Sequence, residues 1–500
     1  MHMEIQDQGF FWWANEDSET QRTAGLLTID SSGLIKLELH ETLPGRSGLG
    51  GVFGENLAES ISLSGCLKAS GQYVLLKGLA AVGGQTGHNS HETLIARECF
   101  ISQRPPTFKS INKISVSLDD LQQWIRPGKI TFDRSKGSDG GGEAIEARLA
   151  LNPDESLITS SGKLEVIHDF TGYEPDMWAH SINAGMSSRL AFTPTTAMTS
   201  EEALDWYRAV QDLLLILTNS NLTLRWPKLF WEEHGKLTAA VFYFRRNAPA
   251  DSPVKWHEML LPFIMIRETF ATLLENWIDQ RKRLGPGISL YLGTRRNKPL
   301  YVEHRFVNLV WGLEALDRRV NASSCDDPKL TEKIQRLKKF VAENGEQLNR
   351  SDRKWLTGLL EQRSAERPLA DRLYNLLKPV AIGLDDTKLK IFTRACADLR
   401  NELSHHGGER TQGNYQYFIS ELLKKTDALS TLYLLRILSL TGFDPTHIKH
   451  MLYGTPNSLQ LKEYLIGADL LPDVDIAELL ANLKTHSSTA APQDEDDSPS

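Results

Sequence analysis

The 500-residue chain has only four cysteines, Cys66, Cys99, Cys325 and Cys396, and no two of them form a CxxC pair. That excludes a disulfide-stapled secreted scaffold and the usual zinc-ribbon spacings. Long apolar runs are also missing. The longest, Leu213 to Leu217 and Leu260 to Ile266, fall far short of the ~20 residues that span a bilayer. Asp7, Glu16 and Asp17 stand where an export signal needs an apolar stretch. The expectation is a cytoplasmic protein with free thiols and no membrane contact. Nor is there an excess of positive charge: 56 Lys and Arg against 64 Asp and Glu leave a net charge of −8. This excludes a histone-like polyanion binder and leaves room for one local basic groove. Gly45 to Gly54, GRSGLGGVFG, matches neither GxGxxG nor a P-loop and reads as a loop. Cys66, His88, His91 and Cys99 match no standard zinc spacing. No metal and no cofactor is expected.

What is present is an ordinary globular composition, 40% hydrophobic and 24% charged, long enough for two or three domains. Up to about residue 195 the pattern is strand. Short alternating runs, among them Leu26–Asp30, Leu34–His40, Tyr73–Leu79, Thr93–Ser102 and Lys163–His168, are separated by Gly-, Asn- and Ser-rich turns. With no helical crossovers between them, they predict a sandwich or barrel. Residues 196–257 mix one helix, opened by a capping-box pair of Thr199 and Glu202, with strand-like runs at Leu222–Trp226 and Leu237–Arg245. Residues 258–484 are helical by their three- and four-residue apolar spacing, and 485–500 form an acidic, solvated tail. The fold class is α+β, a β-rich front half followed by an all-α bundle. Trp12, Trp13, Trp226, Trp231 and Trp256 are expected mainly in core packing.

The informative stretch is Lys388 to Gly408, KLKIFTRACADLRNELSHHGG. At about 100° per residue, Leu389, Phe392, Cys396, Leu399 and Leu403 share an arc of roughly 80°, the core face. Arg400, Asn401, Ser404 and His405 fall on a neighbouring arc, with Lys390 and Arg394 below them, and Gly407-Gly408 stops the helix. An imidazole at a helix C-terminus exchanges protons near neutral pH, and a guanidinium clamps phosphate oxygens. Those parts suit metal-free RNA cleavage. They equally suit a binding module that grips RNA or a partner helix without turnover.

Arg400-Asn401-Glu402-Leu403-Ser404-His405 resembles the R-N-x-x-x-H motif of HEPN domains, helical bundles that often act as metal-independent ribonucleases. Residues 9–39, GFFWWANEDSETQRTAGLLTIDSSGLIKLEL, resemble the start of the N-terminal domain of ApeA-like anti-phage defence proteins. Residues 302–319, VEHRFVNLVWGLEALDRR, are similar to the helix before the motif in that family. The resemblance implies abortive infection: an unknown phage-derived trigger activates the enzyme, and host RNA, with transfer RNA as the implied class, is cut. It implies a homodimer through the HEPN domain, with Arg400 and His405 catalytic and Asn401 orienting. His405 is favoured over His406 by the spacing. Glu314 is the acid expected beside the motif, although an intrahelical pair with Arg318 accounts for it as well. Arg295, Arg296 and Lys298 are expected to form a basic loop that tracks an RNA backbone, with Lys390, Arg394 and Ser404 as further RNA contacts.

Overall fold

The computed structural model describes residues 3–14, 21–46, 62–85, 91–106, 110–136, 143–172, 184–233, 235–247, 254–296, 300–321, 328–344, 347–362, 367–406, 415–455 and 458–472. They form two compact units, Met1–Lys282 and Arg283–Ser500.

The first unit is built on antiparallel strands. Six of them close into a barrel: β1 (Met3–Trp13), β2 (Thr23–Asp30), β3 (Ile35–Leu39), β4 (Ser62–Leu67), β5 (Tyr73–Gln85) and β6 (His91–Ser102), ordered β6-β3-β2-β1-β4-β5 and returning to β6. Alternation explains the inward face. Leu27 and Ile29 of β2, Ile35, Leu37 and Leu39 of β3, and Val74 and Leu76 of β5 all point into one core. β6 has two roles. One of its edges pairs with β5 along its length. The other pairs first with β3, from Leu39↔Glu92 to Ile35↔Ala96, and then with β14 (Lys236–Phe244), from Phe244↔Glu98 to Ala240↔Ser102.

From that second half the sheet continues outward as β14 (Lys236–Phe244), β13 (Lys228–Glu233), β7 (Lys113–Ser117), β12 (Gly185–Pro194), β11 (Gly162–Thr171) and β10 (Glu155–Ile158). A separate ribbon pairs β8 (Gly128–Lys136) with β9 (Glu143–Leu151). Helix α1 (Ser200–Thr218) covers the outer strands. Its Trp206 stacks on Phe192 at 5.5 Å between centroids, and Tyr207 meets Phe244 edge-on at 5.0 Å. The expected capping box opens it, with Thr199 and Glu202 each accepting the other's backbone N–H. Helix α2 (Phe270–Leu284) locks against α1 through Trp277 Nε1 donating to Ala209 O at 2.8 Å and an Arg281–Asp212 ion pair of 2.9 Å.

Two charges enter the barrel. Glu92 is fully buried and its Oε1 accepts from Arg46 Nε at 2.7 Å; Arg46 is itself only 7% exposed. Arg46, at the start of the glycine-rich stretch, thus delivers a cation to the barrel; residues 47–54 of that stretch lie outside the described residues. Of the five tryptophans singled out by sequence, Trp226 and Trp231 are buried and Trp256 is 55% exposed.

The strand expected at Leu222–Trp226 does not form. Its apolar alternation is real, since Leu222 and Leu224 are buried, but side chains rather than a neighbouring strand satisfy the backbone. Leu224 O accepts from Tyr207 Oη at 2.7 Å and Arg246 Nη1 at 2.5 Å, and Leu224 N donates to Gln211 Oε1 at 3.3 Å.

The second unit is helical: α3 (Pro286–Arg295), α4 (Val302–Val320), α5 (Pro328–Asn344), α6 (Arg350–Gln362), α7 (Leu369–Leu377), α8 (Asp386–His406), α9 (Tyr415–Leu440), α10 (Pro445–Tyr453) and α11 (Ser458–Gly467). The long α9 is central, with Leu429, Leu432, Tyr433, Leu435 and Leu438 fully enclosed. Gly287 lets α3 approach α4 closely, because a Cβ there would sit 2.9 Å from Leu316 Cβ. Tyr433 Oη donates to the buried Gly287 carbonyl. The basic loop expected at Arg295–Lys298 is instead, for Arg295, the last turn of α3, with Arg296 as its cap; Lys298 lies outside the described residues. Pro286, in the first turn, starts this helix, since its fixed φ and missing N–H suit that position.

Candidate active site

Helix α8 buries Leu389, Phe392 and Cys396 as the wheel requires, with Leu399 and Leu403 half-buried. Thr393 and Ala397 are buried too, at 1% and 5% exposure. The buried arc is therefore wider than the apolar residues alone indicate, and Arg400 lies within it rather than beside it. An arginine there needs an inward partner. It has one. Arg400 Nη2 lies 3.4 Å from Glu314 Oε2 of α4, and its Nη1 donates to Asn401 Oδ1 at 3.1 Å.

Glu314 is the hub of this cluster. Its Oε1 accepts from Arg372 Nη2 of α7 at 2.8 Å and from Arg318 Nη2 at 3.2 Å. Both sequence readings of Glu314 thus hold in the geometry: the intrahelical pair with Arg318 exists, and the same carboxylate faces Arg400. Arg372 is 5% exposed and was not anticipated. Nothing local marks it in ADRLYNLL; only a half-buried carboxylate across the bundle reveals why a cation sits on an inner face. Three arginines thus meet at one carboxylate, Arg400 among them.

Asn401 and Ser404 are exposed. His405 and His406 are the last helical residues of α8, and their side chains lie outside the described residues. On the wheel His405 is about 140° round from Arg400 and about 40° from Asn401. Arg394 is exposed. Lys390 is engaged elsewhere: it pairs with Asp386 at 2.9 Å and lies over the Tyr374 ring. Tyr374 Oη and then Lys390 hold the Asp386 carboxyl down at about 2. Arg295 and Arg296 are half-buried at the end of α3, and Arg295 acts on the Asp427 carboxylate of α9.

Cys99 and Cys396 are fully buried, and burial raises both thiols, Cys396 to about 12. Among the described residues no group of three or more His, Cys, Asp or Glu converges as a metal site; His88 lies outside them. Iodoacetamide at neutral pH should therefore alkylate the half-buried Cys66 in the native protein and leave Cys99 and Cys396 intact until denaturant is added. Peptide mass mapping reads this directly, and early labelling of Cys396 would contradict the packing of α8.

The first unit also holds a cleft of about 770 Å³ where β3 and β14 part from β6, with Arg97, Glu98, Arg208 and Arg245 in its walls. Burial raises the Glu98 carboxyl. No helix of the described residues is long and apolar enough to cross a membrane.

A closed barrel with an outer sheet, followed by a bundle that presents Arg400 against Glu314, is the architecture of a two-part protein with a HEPN module. Residues 8–277 match the family described as ApeA N-terminal domain 1, and residues 307–447 match the one described as Apea-like HEPN. The chain belongs to the ApeA-like HEPN family, a group of anti-phage effectors whose HEPN domains are generally ribonucleases. No curated protein and no solved structure matches it.

Proposed function

We infer that the chain is a metal-independent endoribonuclease that cuts host RNA, with transfer RNA as the substrate class, when a phage-derived cue activates it. The observation that carries the reading is Arg400, held inward by Glu314 less than two turns before the end of α8, in a stretch that also bears Asn401 and His405. In the reaction the RNA 2′-oxygen bonds to the adjacent phosphorus as the bond from phosphorus to the 5′-oxygen breaks. His405 moves the proton, Arg400 meets the charge that grows on the equatorial oxygens, and Asn401 orients. The products are a 2′,3′-cyclic phosphate and a 5′-hydroxyl, and no metal or water is consumed. Incubation with unfractionated transfer RNA in EDTA should give these ends. A protein that shifts the RNA on a gel and never cuts it would instead be a binding module.

The reading includes a cytoplasmic homodimer whose two HEPN modules face each other across a two-fold axis. Trp311 of α4, 45% exposed, lies on the same helical stripe as Glu314 and Arg318, and so offers an apolar contact beside the cluster. Mixing an Arg400→Ala protomer with wild type should depress activity more than dilution does, because each heterodimer carries one damaged groove. Strictly proportional activity across the titration would rule out a shared site.

A further inference from the structure

Helices α5 and α6 form a hairpin. Between residues 328 and 362 the sequence carries eight Lys and Arg against five Asp and Glu, in a chain whose net charge is −8. Lys329, Lys333, Arg336 and Phe340 follow one another at intervals of four, three and four, and so share one stripe of α5. All four are exposed, Phe340 by 61%; on α6, Trp355 is 65% exposed and Leu359 43%. Among the hairpin's described residues, the fully buried hydrophobics are only Ile334, Val341 and Leu360. A helical pair that buries so little and shows water its two aromatic rings beside a row of cations is shaped by something other than its own stability.

The hairpin's place in the bundle narrows the choice. It leaves after α4 and returns into α7. Glu314 lies in the last two turns of α4 and Arg372 in the first turn of α7, so in chain order the hairpin is inserted between two helices that meet at the Arg400 cluster. Cations at one-turn spacing match a line of phosphates, and exposed aromatic faces match unpaired bases, which stack on them without regard to sequence.

We propose that the α5–α6 hairpin is an RNA-docking arm that holds a single-stranded stretch of the substrate, with phosphates along Lys333 and Arg336 and unpaired bases on Phe340 and Trp355. The proposal rests on the nuclease reading for its substrate, and its test measures binding apart from cutting.

The probe is a fluorescein-labelled, fully 2′-O-methylated single strand of mixed sequence, which has no nucleophile to cut, with its duplex as comparison. Anisotropy is read on the full chain. The Lys333→Glu/Arg336→Glu pair should weaken binding at least ~10-fold and flatten the salt dependence by about 1.4 in log–log slope. Phe340→Ser/Trp355→Ser should weaken single-strand binding at least ~10-fold, leave the salt slope alone and spare the duplex. Lys333→Gln, a milder surface change, should flatten the slope by about 0.7 and guards against a folding defect in the reversals. Wild-type affinity and slope in all three variants overturn the arm, as does a wild type that binds no strand. Unchanged RNA binding with a loss of sedimenting mass also overturns it and assigns the surface to a second copy of the chain. Hairpin-dependent binding by a wild type that cuts no RNA would uphold the arm and remove the nuclease reading.

Discussion

His405→Ala is expected to lower RNA cleavage by ~10²–10⁴-fold, the usual contribution of a positioned proton-transfer residue, with no change in thermal unfolding. Arg400→Ala is expected to lose cleavage and also some stability. The difference comes from where α8 puts the two residues. His405 is the last residue but one of α8, about 140° round the wheel from Arg400, whereas Arg400 lies within the buried arc and answers Glu314 at 3.4 Å. Removing Arg400 leaves Glu314 still paired with Arg372 and Arg318, so no carboxylate is stranded. The loss is one long, partly exposed charged contact, about 1 kcal/mol, or a fall in Tm of roughly 2–4 °C. Glu314→Ala should be worse for the fold, because it removes the carboxylate that Arg372, Arg318 and Arg400 share, and Arg372 is buried. Cleavage gels and differential scanning fluorimetry on purified variants, with phage plating on cells that express them, separate these effects. If both alanine variants cut RNA at the wild-type rate, Arg400 and His405 are not catalytic.

Glu92→Ala is expected to cost the first unit about 3–5 kcal/mol, the usual penalty for stranding one member of a buried ion pair. Glu92 lies between Leu39 of β3 and Gly84 of β5, with Arg46 as its cation. Burial leaves an unpaired guanidinium no water to turn to. The double change Arg46→Met with Glu92→Leu should recover most of the loss, since two apolar side chains of similar size need no partner. Urea unfolding followed by tryptophan fluorescence reads both. A Glu92→Ala midpoint within error of wild type would mean that the pair is solvated and contributes little.

The sequence made the two-part organisation, the antiparallel front and most helices legible, because those rest on local periodicity. It failed where a residue's setting is decided across the chain. β8, with Ile130 and Phe132 exposed on a two-stranded ribbon, and β1, whose Ile5, Phe11 and Trp13 face the core among polar neighbours, carry only two or three apolar residues at alternate positions. NLTLRW announced a strand that has no strand partner, because Tyr207, Gln211 and Arg246 took its backbone groups. At α10 the start signal is local, since Asp444 caps and Pro445 opens the helix. In the candidate site, Arg400, Asn401 and Glu314 come from one motif and one neighbouring helix, both visible as strings. Arg372 and the inward turn of Arg400 were not, since both depend on Glu314 meeting three helices at once.

The double pairing of β6 bears on how the protein can be taken apart. β13 and β14, from the segment that reads in sequence as a connection, fill the edges of β7 and of the second half of β6. A fragment that stops at residue 195 would keep β6 and β7 and lose the strands that cover them. Rows of unsatisfied N–H and C=O groups would then face water, and such edges recruit other chains. Precipitation or toxicity of that fragment would report self-association of raw edges, not release of an inhibited enzyme. A cut after Lys282 leaves every strand of the sheet with its neighbours, and dissections meant to test sensing by the front half belong there.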